Sequence, residues 1–189
     1  PKRSHMERRQ IYLELIGVIR HVLLGEPMPS VPDWEPLIRL ASAHKLIGFV
    51  YRAAVGNPDV PAAMLEQVEA AYFAAVGAQV RQDHFAGELF AALRARELPY
   101  MPLKGYCLRE LYPEPNWRMA QDLDILVSEE AREEIDAVLT PLGVSRERGE
   151  KGDRYTLDRV RVSVYTEIPE EDVMRAEGET LRDSLVTED

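Results

Sequence analysis

The sequence of 189 residues predicts an α+β fold: an N-terminal helical region followed by a small mixed β-sheet flanked by helices. Three observations carry this. Up to Leu98 the apolar residues recur at helical spacing with few breakers. At Pro99 that pattern stops, and Asp122 to Val127 alternates acid and apolar residues with the period of a strand. Two further strand-like runs, Arg154 to Leu157 and Val160 to Ile168, meet at a tight turn at Asp158-Arg159. The organisation expected is a helical region over 7–98, an α/β core over 99–168 and a charged segment over 169–189. Pro1-Lys-Arg-Ser-His-Met6 reads as a cloning remnant ending in the initiator Met6, and is set aside from the fold.

The first helix runs from Glu7 to Leu24 with its stripe at Ile11, Leu15, Val18, Ile19, Val22 and Leu23, and Gly25 with Pro27 and Pro29 stops it. Asp33 is placed to cap a second helix, Trp34 to His44, because its carboxylate can accept a backbone N–H left over at a helix start. Lys45 to Ala54 reads as a third helix or a continuation of the second after a bend. Beyond the turn at Asn57-Pro58 and Pro61, Ala62 to Leu98 is rich in strong helix formers and predicts one or two long helices. A short apolar run, Tyr100 to Leu103, precedes a helical stretch from Tyr106 to Tyr112 and a loop at Pro113, Pro115 and Asn116. Ser128 with Glu129, Glu130 and Glu133 marks a helix start that reaches Leu139, ended by Pro141 and Gly143. Pro169 to Asp189 is mostly charged and reads as a short helix at best.

Composition narrows the function. With 46% hydrophobic and 30% charged residues the chain is that of an ordinary globular protein. A formal charge of -10 argues against affinity for duplex nucleic acid, which needs a basic stripe to neutralise phosphates. No apolar run is long enough to span a membrane. Cys107 is the single cysteine, so no internal disulfide can form and a cytoplasmic location is expected.

Chemistry concentrates between Leu103 and Val127. In Asp122-Leu123-Asp124 the acids are separated by one residue, so on a strand both carboxylates leave the same face. Such a pair repels itself unless a cation sits between, and oxygen donors of this kind suit Mg²⁺, which keeps open positions for phosphate oxygens. Upstream, Lys104-Gly105 lies between a strand and a helix; glycine permits close approach of backbone to phosphate, and lysine supplies a point charge.

Leu103-Lys104-Gly105, Tyr112, Arg118 and Asp122-Leu-Asp124-Ile-Leu-Val127 together resemble the signature of the uncharacterised bacterial nucleotidyltransferase family within the DNA polymerase β superfamily. Upstream, Leu37 to Ala53, with Ala43-His44-Lys45 and Tyr51-Arg52, is similar to the helical region that precedes the motif there, so the resemblance covers roughly Leu37 to Ile168. It implies a nucleotidyltransferase-like core over 99–168. It also implies two-metal transfer of an NMP from an NTP to a small-molecule or protein acceptor, with Mg²⁺ held by Asp122 and Asp124. Lys104 and Gly105 stand where that superfamily has its glycine-serine phosphate turn. Arg118 matches the family arginine, in contact with the triphosphate or ion-paired so as to position the aspartates.

One departure qualifies the activity. The resemblance leads to a third carboxylate on a later strand, two residues before a histidine. Aligning on Val160, Val162 and Val164 puts Ser163 and Tyr165 at those places. Glu167 shares their strand face and would serve as the third catalytic acid if the register shifted by two, with Asp158 as a weaker candidate. The alternative reading is therefore a catalytically degenerate member that binds a nucleotide or a protein partner. A third, a helical interaction module with a structural acid pair, is opposed by Lys104, Gly105 and Arg118.

Overall fold

The computed structural model describes residues 5–120, 122–149, 152–157, 160–167, 175–176 and 179–180. It is an α+β protein, with helices followed by a five-stranded mixed sheet. Two compact units interleave along the chain: a helical unit of residues 1–83 and 105–121, and a sheet unit of 84–104 and 122–189.

In the helical unit, α1 (His5–Leu24) buries Leu15 and Val18 and leaves Leu23 at its exposed margin. It starts at His5, so two residues set aside as a remnant belong to its first turn. Gly25 closes it in the left-handed conformation, φ +68, with its N–H donated to the His21 carbonyl, a helix end that glycine adopts without a Cβ penalty. Asp33 caps α2 (Trp34–Ala43) as expected, its Oδ1 accepting the Glu35 N–H at 3.3 Å. The chain bends at Lys45, which holds a positive φ of 61, and continues as α3 (Ile47–Ala54). α4 is one helix, Ala62–Ala95, whose first part belongs to this unit. Leu15, Leu37, Ile47, Phe49 and Val68 form the core.

The sheet unit holds the end of α4, where Phe85, Leu89 and Leu93 are buried. Its strands are β1 (Tyr100–Pro102), β2 (Leu123–Val127), β3 (Ser145–Arg148), β4 (Gly152–Leu157) and β5 (Val160–Tyr165), in the order β1-β2-β5-β4-β3. Among the described residues of this sheet β2 and β5 run parallel, and the other pairs are antiparallel. α6 (Arg132–Leu139) supplies the crossover and buries Ile135, Val138 and Leu139.

Several sequence expectations need correction. α6 starts at Arg132 rather than at Ser128, whose Oγ instead accepts the Ala131 N–H in the turn before it. The helix at the motif, α5 (Lys104–Leu108), is shorter than expected and passes into a 3-10 turn, Arg109–Leu111. β3 was not anticipated, because Ser145-Arg-Glu-Arg148 is an exposed edge strand without apolar alternation. β5 ends at Tyr165, short of Ile168, and Asp158-Arg159 lies outside the described residues. In the charged C-terminal segment the described residues form a small strand pair, Arg175–Ala176 with Glu179–Thr180, not a helix.

An ionic cluster ties α6 to the sheet. Asp153 on β4 is fully buried and receives Arg132 Nη2 at 2.8 Å and Arg146 Nη2 at 2.6 Å; Arg146 also reaches Asp136 at 2.6 Å. Burial pushes the Asp153 carboxyl upward, but hydrogen bonds from the two guanidinium groups outweigh it and hold the group down at about 2. Burial raises the neighbouring Tyr155 hydroxyl to about 12.

Candidate functional site

β2 separates its two faces cleanly. Leu123, Ile125 and Val127 are buried on one side, while Asp124 and Leu126 are half-exposed on the other. Asp122 immediately precedes the strand and shares the Asp124 side by alternation. Asp124 thus belongs to the half-exposed face of the strand, and Asp122 stands at its start.

Neighbouring strands furnish the rest of that face. In the parallel pairing, Asp124 lies beside Ser163 and Leu126 beside Tyr165, which sets Arg161 level with Asp122. Across the next pairing, Arg154 faces Ser163. A cleft of about 240 Å³ opens here, lined by Glu147, Gly152, Arg154, Ser163 and Tyr165 among others. On the other side, the Leu103 N–H is donated to the Asp124 carbonyl at 2.8 Å, so Lys104, the first residue of α5, follows directly from the level of the acid pair.

Arg161 is the residue that sequence reasoning missed. Its Nε stands 2.8 Å from Asp122 Oδ1, with Asp122 32% and Arg161 41% exposed. The N–H is not aimed for a hydrogen bond, and this enclosed carboxylate oxygen has no hydrogen-bond partner among the described residues. The signal was present in the alternation, which places Arg161 with Ser163 and Tyr165, but pairing it with Asp122 requires the strand register.

The remaining candidates stand as follows. Gly105, in α5, has open space where a Cβ would project, so neither packing nor φ demands glycine there. Arg118, in the helical unit, donates from Nη1 to the Met119 carbonyl at 2.7 Å. Glu167 lies exposed, two residues past the end of β5, and the register sets Ser163 rather than Glu167 beside Asp124.

The loop carrying Arg118 is seated on α3 within the helical unit. Phe49 packs against Tyr112 and Trp117, with ring centroids 6.0 and 5.5 Å apart, and the Met119 N–H is donated to the Lys45 carbonyl. Gly48 makes this possible: a Cβ there would overlap the Asn116 carbonyl oxygen and come within 2.6 Å of Trp117 Cα. Lys45 keeps its positive φ at the point that receives Met119. The resemblance upstream of the motif thus has a physical basis, since those helices form the bed for its loop.

Among the described residues, no group of three or more His, Cys, Asp or Glu side chains is placed to hold a metal. The donor set here is two carboxylates, one with an oxygen lacking a hydrogen bond. That fits a magnesium ion that takes one or two protein carboxylates and completes its shell with water and substrate phosphates. It does not supply the third carboxylate of a two-metal site, for which β5 offers Ser163.

A family model described as "Uncharacterised nucleotidyltransferase" matches residues 30–178. The chain belongs to that nucleotidyltransferase family. The match extends across the helices under the motif loop as well as the sheet that bears the acids. No curated protein matches the chain. Two solved structures of ANT(2'')-Ia are similar at 20% identity. One, in complex with adenylyl-2''-tobramycin, has a TM-score of 0.40 over 53% of this chain and 54% of that one. The other, a solution structure of the antibiotic-resistance factor, has a TM-score of 0.41 over 55% and 62%. The nucleotidyltransferase chain thus spans less than two thirds of either. No helix among its described residues is long and apolar enough to cross a membrane.

Proposed function

We propose that this chain binds an NTP with Mg²⁺ at Asp122 and Asp124 and transfers its NMP to a small-molecule or protein acceptor in the cytoplasm. The observation that carries the reading is the acid pair on one half-exposed strand face, in a chain of a nucleotidyltransferase family. Asp122 and Asp124 are the residues that would hold the ion. When bound, it would neutralise phosphate charge and polarise the phosphorus under attack. Lys104 neutralises a phosphate at the start of α5, and Gly105 leaves room for close approach there. Arg118 is assigned to the triphosphate on the strength of the family motif. The single cysteine supports a reducing compartment, and the charge of -10 supports an acceptor other than duplex nucleic acid.

A second reading is favoured by Ser163 beside Asp124: a member that binds nucleotide or a protein partner without turnover. Calorimetric titration with NTP, with and without Mg²⁺, tests the site, and no binding in either condition would sink the enzyme and the nucleotide-binding member alike. Labelled NTP offered with a panel of acceptors then separates them. Turnover by the wild type that is lost in Asp124→Asn supports the enzyme, whereas tight binding without transfer supports the degenerate member.

A further inference from the structure

We infer that Arg161 is the resident counter-ion of the acid pair, a positioning residue that stabilises Asp122 beside Asp124 in the absence of metal and competes with a divalent cation for Asp122. The inference rests on the reading of Asp122 and Asp124 as metal ligands and adds a control on their occupancy.

Three observations carry it. First, the parallel register puts Arg161 on β5 level with Asp122, so the sheet brings the root of its side chain to that acid. Second, the contact is close but poorly directed. At 2.8 Å the guanidinium Nε gives Asp122 Oδ1 electrostatic attraction without a hydrogen bond, so a ligand-demanding cation has something to gain at that oxygen. Third, Arg161 is 41% exposed, whereas the arginines of the other acid cluster, Arg132 and Arg146, are 20% and 19% exposed and hydrogen-bonded to a fully buried Asp153. A half-exposed guanidinium can withdraw into water at little cost. The two clusters use the same residue types for different ends: one is locked, and the other is displaceable.

Two carboxylates on one strand face repel each other, and the Arg161 guanidinium offsets part of that repulsion at Asp122. A divalent ion offsets all of it. Metal entry is then an exchange of cations at Asp122, and the apparent metal affinity of the resting chain is lower than the two acids alone would give.

The test uses the full chain and Mn²⁺ alone, followed by the paramagnetic resonance signal of the free ion. Arg161→Gln is expected to bind Mn²⁺ about fivefold more tightly than wild type, the scale of a partly exposed ion pair. Arg161→Lys, which keeps the charge, is expected to stay near wild type. Without metal, Arg161→Gln should melt below wild type, and Mn²⁺ should recover more of its melting temperature than it adds to wild type. Equal Mn²⁺ affinity in wild type and Arg161→Gln, both lost in Asp124→Asn, would overturn the counter-ion while leaving the metal site standing. If neither binds Mn²⁺ with or without NTP, the metal reading fails and the inference falls with it.

Discussion

Ser163 is buried between Arg161 and Tyr165 on the strand face that adjoins the acids, and that face carries no carboxylate. Ser163→Asp is therefore expected to add a third oxygen ligand beside Asp124. It should tighten Mn²⁺ binding about tenfold, in line with the dependence of such sites on ligand charge. Unchanged affinity by metal titration would mean that this position does not face the ion. Gly105 makes a complementary case, since a Cβ there meets nothing. Gly105→Ala should fold at least as well as wild type, gaining up to ~1 kcal/mol from helix propensity. It should lose roughly tenfold in NTP affinity if backbone approaches phosphate here. Urea unfolding and calorimetry on the same sample separate the two effects. Period-two alternation made Ser163 legible in the sequence, because it needs only the pattern Val160, Val162, Val164. Arg161 was not legible as a partner of Asp122, because that pairing is fixed by hydrogen bonds between strands distant in sequence.

At the scale of elements, the contact between α3 and the Asn116–Trp117 backbone is the most sensitive joint near the motif. Gly48→Ala forces that backbone away. It is expected to cost about 2–3 kcal/mol, the scale of overpacking in a filled core. Its urea midpoint should fall accordingly, and a change below about 0.5 kcal/mol would show that the loop yields freely. On the sheet, Asp153→Asn leaves Arg132 and Arg146 without their buried carboxylate and should cost about 3 kcal/mol. Helices and their caps were readable because each depends on neighbours in sequence: Asp33 caps α2, and Gly25 ends α1. The exposed strand β3 was not, because its polar sequence gives no face to the pattern and its pairing with β4 makes it a strand.

For the whole molecule, acid stability follows from Asp153. Its folded-state pKa of about 2 lies below the ordinary 3.8, so its stabilising effect is complete above the higher value and is lost as pH falls through the lower. Urea midpoints taken from about pH 5 down to about pH 2 should decline, and Asp153→Asn should flatten part of that decline. An unaltered slope in the variant would assign the loss to other carboxylates. The net charge of -10 predicts no retention by duplex DNA at ordinary salt in an electrophoretic assay. The mixed α+β class was visible in the sequence as a change of period at Pro99. The interleaving of the compact units was not, because a period reports the state of a segment and not which neighbours it joins.

That interleaving governs how the molecule can be taken apart. The chain passes from the helical unit to the sheet unit after Asp83, returns at Gly105 and leaves again after Gln121. No single peptide-bond cleavage can release either unit whole. A protease nick in the loop at Pro113 to Asn116 would produce fragments that each carry strands of the same sheet, β1 on one side and β2 on the other. Dissection of this protein therefore calls for reconnecting its segments, 1–83 to 105–121 and 84–104 to 122–189, rather than for truncation at the place where its sequence pattern changes.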